Sequence, residues 1–290
     1  IQEGIARSGR HVERVVVQKA GASTALQEGL LLAQELVSEA SQIKQEEFDG
    51  YLALFVERYN RQKEKPDSAL RGELLLAMAS LCKQDSTGQQ DSTGRIMAAK
   101  LFEPLFIEAL SDKTDFVRET AVDGLISIDK SDALKRLRTA KYFDDPSEIL
   151  RKKLINLASD VGGKKDLEWL VGKIGSNSES GPAWQAMLKI FDGSDLATLK
   201  EWMDKLTSQE SKIKLPDDQK IAFIKKVEAK AAGDTKLLES VRNKLAKLYY
   251  QTGQFEREAE YWDMLNKEAP TAKEKEVILP KLLDAYLRSS

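Results

Sequence analysis

Apolar residues recur along this chain at the spacing of a helix face and not at the alternation of a strand. Leu26, Leu30, Ala33, Val37 and Ala40 fall at i, i+4, i+7, i+11 and i+14, and Leu52, Phe55, Val56 and Tyr59 at i, i+3, i+4 and i+7. Leu70, Leu74, Ala77, Met78 and Leu81 make a third stripe. Phe102, Leu105, Phe106, Ala109 and Leu110 make a fourth, and Val117, Ala121, Val122, Leu125 and Ile128 a fifth. Residues 3.6 apart per turn share one side of a helix, so each set predicts an amphipathic helix with one face to bury. Further helices are predicted over 196–206 and 221–232, with breaks near 45–49, 63–67 and 85–94. Val12 to Val17 reads as a short strand or a helix turn, and Gly4, Gly9 and Gly21 weaken both, so residues 1–22 read as a leader or linker.

Two stretches align at an offset of 33 residues. Leu110-Ser111-Asp112-Lys113-Thr114-Asp115-Phe116-Val117-Arg118 matches Phe143-Asp144-Asp145-Pro146-Ser147-Glu148-Ile149-Leu150-Arg151. A fixed period of this size marks a stacked repeat, because one helix pair cannot bury its own stripes and must lean on neighbours. An apolar helix with Pro104, then Leu110-Ser111-Asp112, then Val117-Arg118, Ala121 and Leu125, resembles a HEAT repeat. The second copy keeps Asp145, Arg151 and Leu157 and departs at the small-residue position, and a weaker third copy runs from Leu167 to Phe191 with Pro182 opening its second helix. Farther on, Leu245, Ala246, Tyr249, Gly253, Phe255, Trp262, Leu265 and Pro270 hold a spacing that resembles a tetratricopeptide repeat, with its second small residue one place late at Ala259 because Glu258 occupies the usual position. Lys281 to Leu287 reads as the first helix of another repeat or as a solvating cap. These resemblances imply an all-α, right-handed α-α superhelix, a solenoid of about 13–14 helices. The expected parts are a leader over 1–22, irregular helix pairs over 23–95, a HEAT-like array over 96–232 and a tetratricopeptide-like region over 233–290.

Composition changes this picture mainly by exclusion. The net charge is -2, so no global basic field attracts nucleic acid. The charge is uneven: 19 Lys and Arg face 14 Asp and Glu in residues 151–250, against 26 and 33 elsewhere. A single cysteine, Cys82, forbids an intramolecular disulfide and lies in an apolar helical run, where a buried inert thiol is expected. Cysteine scarcity favours the cytoplasm and leaves a periplasmic or secreted location open. No apolar run approaches the ~20 residues of a membrane span.

The usual catalytic sets do not occur. One histidine, His11, and one cysteine cannot build a Cys/His zinc site. The tetrapeptide Asp-Ser-Thr-Gly occurs at 85–88 and 91–94, but both copies share one loop, whereas paired aspartates that split a peptide come from two distant lobes. Their residue types instead suit a turn and a helix start near Arg95. Gly162-Gly163-Lys164-Lys165 lacks both the preceding glycine and the following hydroxyl of a phosphate loop, and reads as a glycine stop with lysines beyond it.

The expectation is therefore a non-catalytic scaffold or adaptor that holds a protein or peptide partner, without metal or cofactor. The alternative is a nucleic-acid-binding solenoid using the lysine-richer residues 151–250. Arg118 and Arg151 recur with the repeat; they are candidates for acidic-partner contacts, against the structural reading that they pair with Asp112 and Asp145. Asn243, Lys247 and Tyr250 are the other candidate contacts. The resemblance to tetratricopeptide repeats places them on the groove side, with Asn243 and Lys247 in reverse order relative to a carboxylate clamp. Trp169, Trp184, Trp202 and Trp262 all lie in the second half; most are expected in the core, and an exposed one would anchor a partner.

Overall fold

The computed structural model describes residues 45–63, 68–83, 92–138, 140–175, 178–208 and 213–289. Every regular element among them is a helix. His11, the stripe from Leu26 to Ala40, and most of the Asp-Ser-Thr-Gly loop lie outside the described residues. Contacts divide the chain into two units, Ile1–Val161 and Gly162–Ser290, and the boundary falls inside the stretch 96–232 expected to form one array.

In the first unit the described helices are α1 (Gln45–Gln62), α2 (Ser68–Cys82), α3 (Ser92–Ala109), α4 (Asp115–Ile128), α5 (Lys130–Leu137), α6 (Ala140–Phe143) and α7 (Glu148–Val161). Two sequence boundaries shift: residues 45–49 open α1 where a break was expected, and α3 begins at Ser92, three residues before Arg95. Pro104 lies inside α3, past its middle, so the helix tolerates one missing backbone donor there. Most described residues of the predicted stripes are core: Phe102, Phe106, Val117, Ala121, Val122 and Met78 have no solvent exposure, while Phe55, Val56, Leu70 and Ile128 are half-buried. Helix α4 packs on α2, α3, α5 and α7. Close approach is allowed by glycine: a Cβ at Gly72 would collide with the ring of Phe116, and one at Gly124 with the ring of Phe106.

The offset of 33 is also an offset in hydrogen bonding. Asp112 Oδ1 accepts from Thr114 N–H at 2.8 Å, and Asp145 Oδ1 accepts from Ser147 N–H at 2.8 Å. Arg118 Nη1 donates to the carbonyls of Asp112 and Lys113, and Arg151 Nη1 donates to those of Asp145 and Pro146. Side-chain exposure repeats too: Val117 and Leu150 are fully buried, while Phe116 and Ile149 face outward.

The second unit contains α8 (Lys164–Gly172), α9 (Ser180–Gly193), α10 (Leu196–Thr207), α11 (Asp217–Lys230), α12 (Thr235–Gln251), α13 (Phe255–Glu268) and α14 (Ala272–Ser289). Gly162 and Gly163 do stop α7. Gly163 also caps α8, its N–H donating to buried Asp166 at 2.8 Å. Asp195 and Asp234 cap α10 and α12 by accepting from Thr198 and Leu237 N–H. The core joins α9, α10 and α11 through Phe191, whose ring lies 4.4 Å from Phe223 and 6.0 Å from Trp202, centroid to centroid. Helices α12 and α13 form a hairpin closed at Gly253, whose φ of 72° is left-handed and inexpensive only for glycine. Tyr249 and Tyr261 stack across it at 5.6 Å. Trp184, Trp202 and Trp262 are buried, and Trp169 is half-buried.

Candidate functional site

The two recurring arginines belong to the frame. Arg118 is 8% exposed, and its five N–H groups are all engaged. Nε and Nη2 grip the two Asp145 oxygens at 2.9 and 2.7 Å, Nη2 also reaches Asp115 at 2.8 Å, and Nη1 serves the Asp112 and Lys113 carbonyls at 3.0 and 3.2 Å. No donor is left for a ligand. The pairing partner is the aspartate of the next copy, Asp145; the equivalent Asp112 is gripped instead by Arg71, with oxygen distances of 3.0 to 3.2 Å. Burial works against the charged form of Asp145, but the Arg118 hydrogen bond and the Ser147 amide outweigh it and hold its carboxyl below the usual aspartate range. Arg151 is half-buried and makes the same carbonyl contacts one copy later.

The C-terminal candidates separate. Asn243 donates to its own helix at Glu239 O, 2.9 Å away. Tyr250 is 51% exposed, but the Arg288 guanidinium covers one face of its ring at 4.4 Å. Arg288 reaches back from α14 to Glu258, which is only 4% exposed and accepts from Trp262 Nε1 at 3.1 Å. That contact explains how a glutamate fits where the hairpin pattern expects a small residue: its charge is met by an arginine and an indole N–H.

Lys247 alone of the three lines a cavity, of about 470 Å3, formed by the end of α10, the start of α11 and the last turns of α12. With it come Lys220 and Lys244, the hydroxyl of Thr207, the amide of Gln251 and the apolar side chains of Leu206 and Leu248. Lys244 Nζ donates to Thr207 Oγ1 at 2.8 Å and lies 3.3 Å from Asp204; Lys220 Nζ lies 2.8 Å from Asp217. Lys247 is exposed and has no carboxylate within ion-pair distance among the described residues. Sequence reasoning missed Lys220 and Lys244. Lys244 stands one turn from Lys247, a usable signal, but Lys220 reaches the cavity only because α11 packs on α12.

Elsewhere in 151–250 several lysines pair with carboxylates. Lys164 pairs with Glu201, Lys205 with Glu168, Lys226 with Asp192 and Lys153 with Asp123. Lys230 spends its ammonium on the carbonyls of Phe191, Asp192 and Ser194. Among the described residues no group of three or more His, Cys, Asp or Glu is arranged to hold a metal ion, and no helix is long and apolar enough to cross a membrane.

The last helix adds a surface of another kind. Leu282 and Ala285 pack inward, while Leu279, Leu283, Tyr286 and Leu287, at i, i+4, i+7 and i+8, are 49–70% exposed. A solvating cap would carry polar residues there. Comparison with known proteins gives no matching family model and no significant match among the curated proteins.

Proposed function

We propose that this protein is a helical-repeat scaffold that holds a partner protein, and that its helix pairs stack as a HEAT-like array followed by a tetratricopeptide-like hairpin in a right-handed solenoid. The 33-residue recurrence of the Asp–Arg contacts supports the first repeat type, and the Gly253 hairpin supports the second. The observation that carries the holding function is the apolar row on α14. Its four large side chains expose on the order of 400 Å2, within the size range of the functional patches of single chains and about half of one side of a standard interface. Their helical spacing fits the groove-and-ridge packing of a second helix, so the occupant is an amphipathic helix of another protein, with its own apolar stripe laid along Leu279 to Leu287.

The test is site-specific photocrosslinking in the native cell. A benzophenone side chain at Leu283 should capture an amphipathic helical segment of one partner, mapped by mass spectrometry, while the same group at Lys236 on α12 should not. Crosslinks solely to a second copy of this chain, or equal capture from both positions, refute the reading.

A further inference from the structure

Independently of the outer row on α14, the end of the α12–α13 hairpin holds a seat for a cation. We infer that Glu258, Tyr250 and Phe255 receive the guanidinium of a partner protein's arginine, and that in the free chain Arg288 fills the place. Glu258 is 4% exposed, and a charge buried that deeply needs a counter-charge and hydrogen bonds. The Arg288 guanidinium reaches its carboxylate and lies over the rings of Tyr250 and Phe255, at 4.4 and 5.2 Å from their centroids. The two rings stand 6.4 Å apart. A carboxylate beside two aromatic rings suits a flat, weakly hydrated cation, because the rings attract it and the oxygens match its fork of donors.

Arg288 fits this seat poorly. Its Nη2 reaches the two Glu258 oxygens only at 3.3 and 3.4 Å, and spends its shortest contact, 2.7 Å, on Asp284 of its own helix. Its Nε is buried without a hydrogen-bond partner among the described residues. The frame contact of the other unit is built differently: Arg118 meets Asp145 through two separate nitrogens, at 2.9 and 2.7 Å. Glu258 has the Trp262 N–H at 3.1 Å and no such fork. Arg288 is limited because its backbone is fixed in α14 and its guanidinium is shared with Asp284. An arginine from another chain carries neither limit and can present two parallel N–H groups to Glu258. Exchange is open as well. The Arg288 side chain is 27% exposed and Tyr250 51%, and Asp284, 62% exposed, can keep Arg288 as its guanidinium swings outward.

Isothermal titration calorimetry on the full chain tests this with three probes: a short amidated peptide bearing one arginine, its lysine counterpart, and ethylguanidinium. The variant Arg288→Ala, which empties the seat, should bind the arginine peptide with a Kd of about a millimolar or tighter, and at least about tenfold more tightly than the native chain. The lysine peptide, which lacks the fork, should bind that variant at least about tenfold more weakly. Adding Glu258→Gln to Arg288→Ala should weaken the arginine peptide about tenfold or more. Circular dichroism confirms that the variants are folded; if Arg288→Ala does not fold, Arg288→Lys takes its place with the same expectations. Undetectable binding of the arginine peptide, equal binding by the native chain, equal binding of the lysine peptide, or indifference to Glu258→Gln overturns the assignment. So does tighter binding of ethylguanidinium than of the arginine peptide, which would make the ligand a free cation.

Discussion

Replacing Arg118 with methionine keeps the aliphatic bulk of the side chain and removes five hydrogen bonds, two of them to a carboxylate that is 4% exposed. Asp145 is then left buried, with the Ser147 amide as one of its few remaining partners. Breaking one side of a buried pair costs about 3–5 kcal/mol, because an uncompensated charge stays behind, whereas a surface pair costs under ~1 kcal/mol. The loss should therefore be several times that of Lys226→Gln, whose ion pair with Asp192 is exposed. Its pH dependence has a definite sign. In the native protein the Asp145 carboxyl lies below its unfolded value, so the pair contributes stability above about pH 4 and loses it as pH falls through the folded value. In the variant, burial without Arg118 pushes the same carboxyl above its unfolded value, so acid relieves the penalty. The gap between the two proteins should be widest at neutral pH and should shrink toward pH 4. Urea unfolding followed by far-ultraviolet circular dichroism measures it. Tryptophan fluorescence offers an internal reference, since Trp169, Trp184, Trp202 and Trp262 all lie in the unit Gly162–Ser290 while Arg118 lies in the other. A loss below ~1 kcal/mol, or a gap that widens in acid, would refute the assignment of Arg118 to the frame.

The two crowded glycines should behave differently. Gly124→Ala forces a methyl onto Phe106, which is fully buried and has nowhere to move, so the ~1 kcal/mol gain in helix propensity is outweighed by about 1–3 kcal/mol of overpacking. Gly72→Ala meets Phe116, which is 39% exposed and free to swing outward, so its melting temperature should stay level or rise; a larger loss at Gly72 than at Gly124 contradicts this. Cys82 is 1% exposed and burial pushes its thiol up to about 12, so a thiol-reactive dye should label it only on unfolding, and stoichiometric labelling of the native chain within minutes would count against its place in the core. Arg288→Met should lower stability by about 2–4 kcal/mol by leaving Glu258 with the Trp262 N–H as its main partner, an effect that Glu258→Gln should largely rescue in the double variant, as read by tryptophan fluorescence.

The helical stripes were legible because burial imposes the 3.6-residue period directly: Val117, Ala121, Val122 and Leu125 are all buried as their spacing requires. The pairing of the arginines was half legible. The offset of 33 marked them as equivalent positions, but which aspartate each one grips depends on how the helices pack, and Arg118 reaches forward to Asp145 while Arg71 takes Asp112. The start of α3 at Ser92 was hidden because serine, threonine and glycine serve a loop and the first turn of a helix equally well. The outward face of α14 was hidden for a different reason. Leu282 and Leu283 are adjacent, so the apolar pattern covers two sides of the helix, and only packing on α13 decides that Leu282 goes in and Leu283 stays out. The cavity could not be read at all, since nothing along the chain relates Lys220 to Lys247.

In the unit Gly162–Ser290 the principal helix contacts run between sequence neighbours: α8 with α9, α10 with α11, and then α11, α12, α13 and α14 each with the next. Contacts this local close short loops, so the unit should assemble quickly, each helix adding to one already formed. Among the described helices α14 leans chiefly on α13, so lifting it breaks the contacts with one helix. Hydrogen exchange should then be graded, fastest in α14 and slowest around Phe191 and Phe223. A protein bound to the outer face of α14 would slow that opening, and protection would spread to α13 and α12 from a contact that touches a single helix.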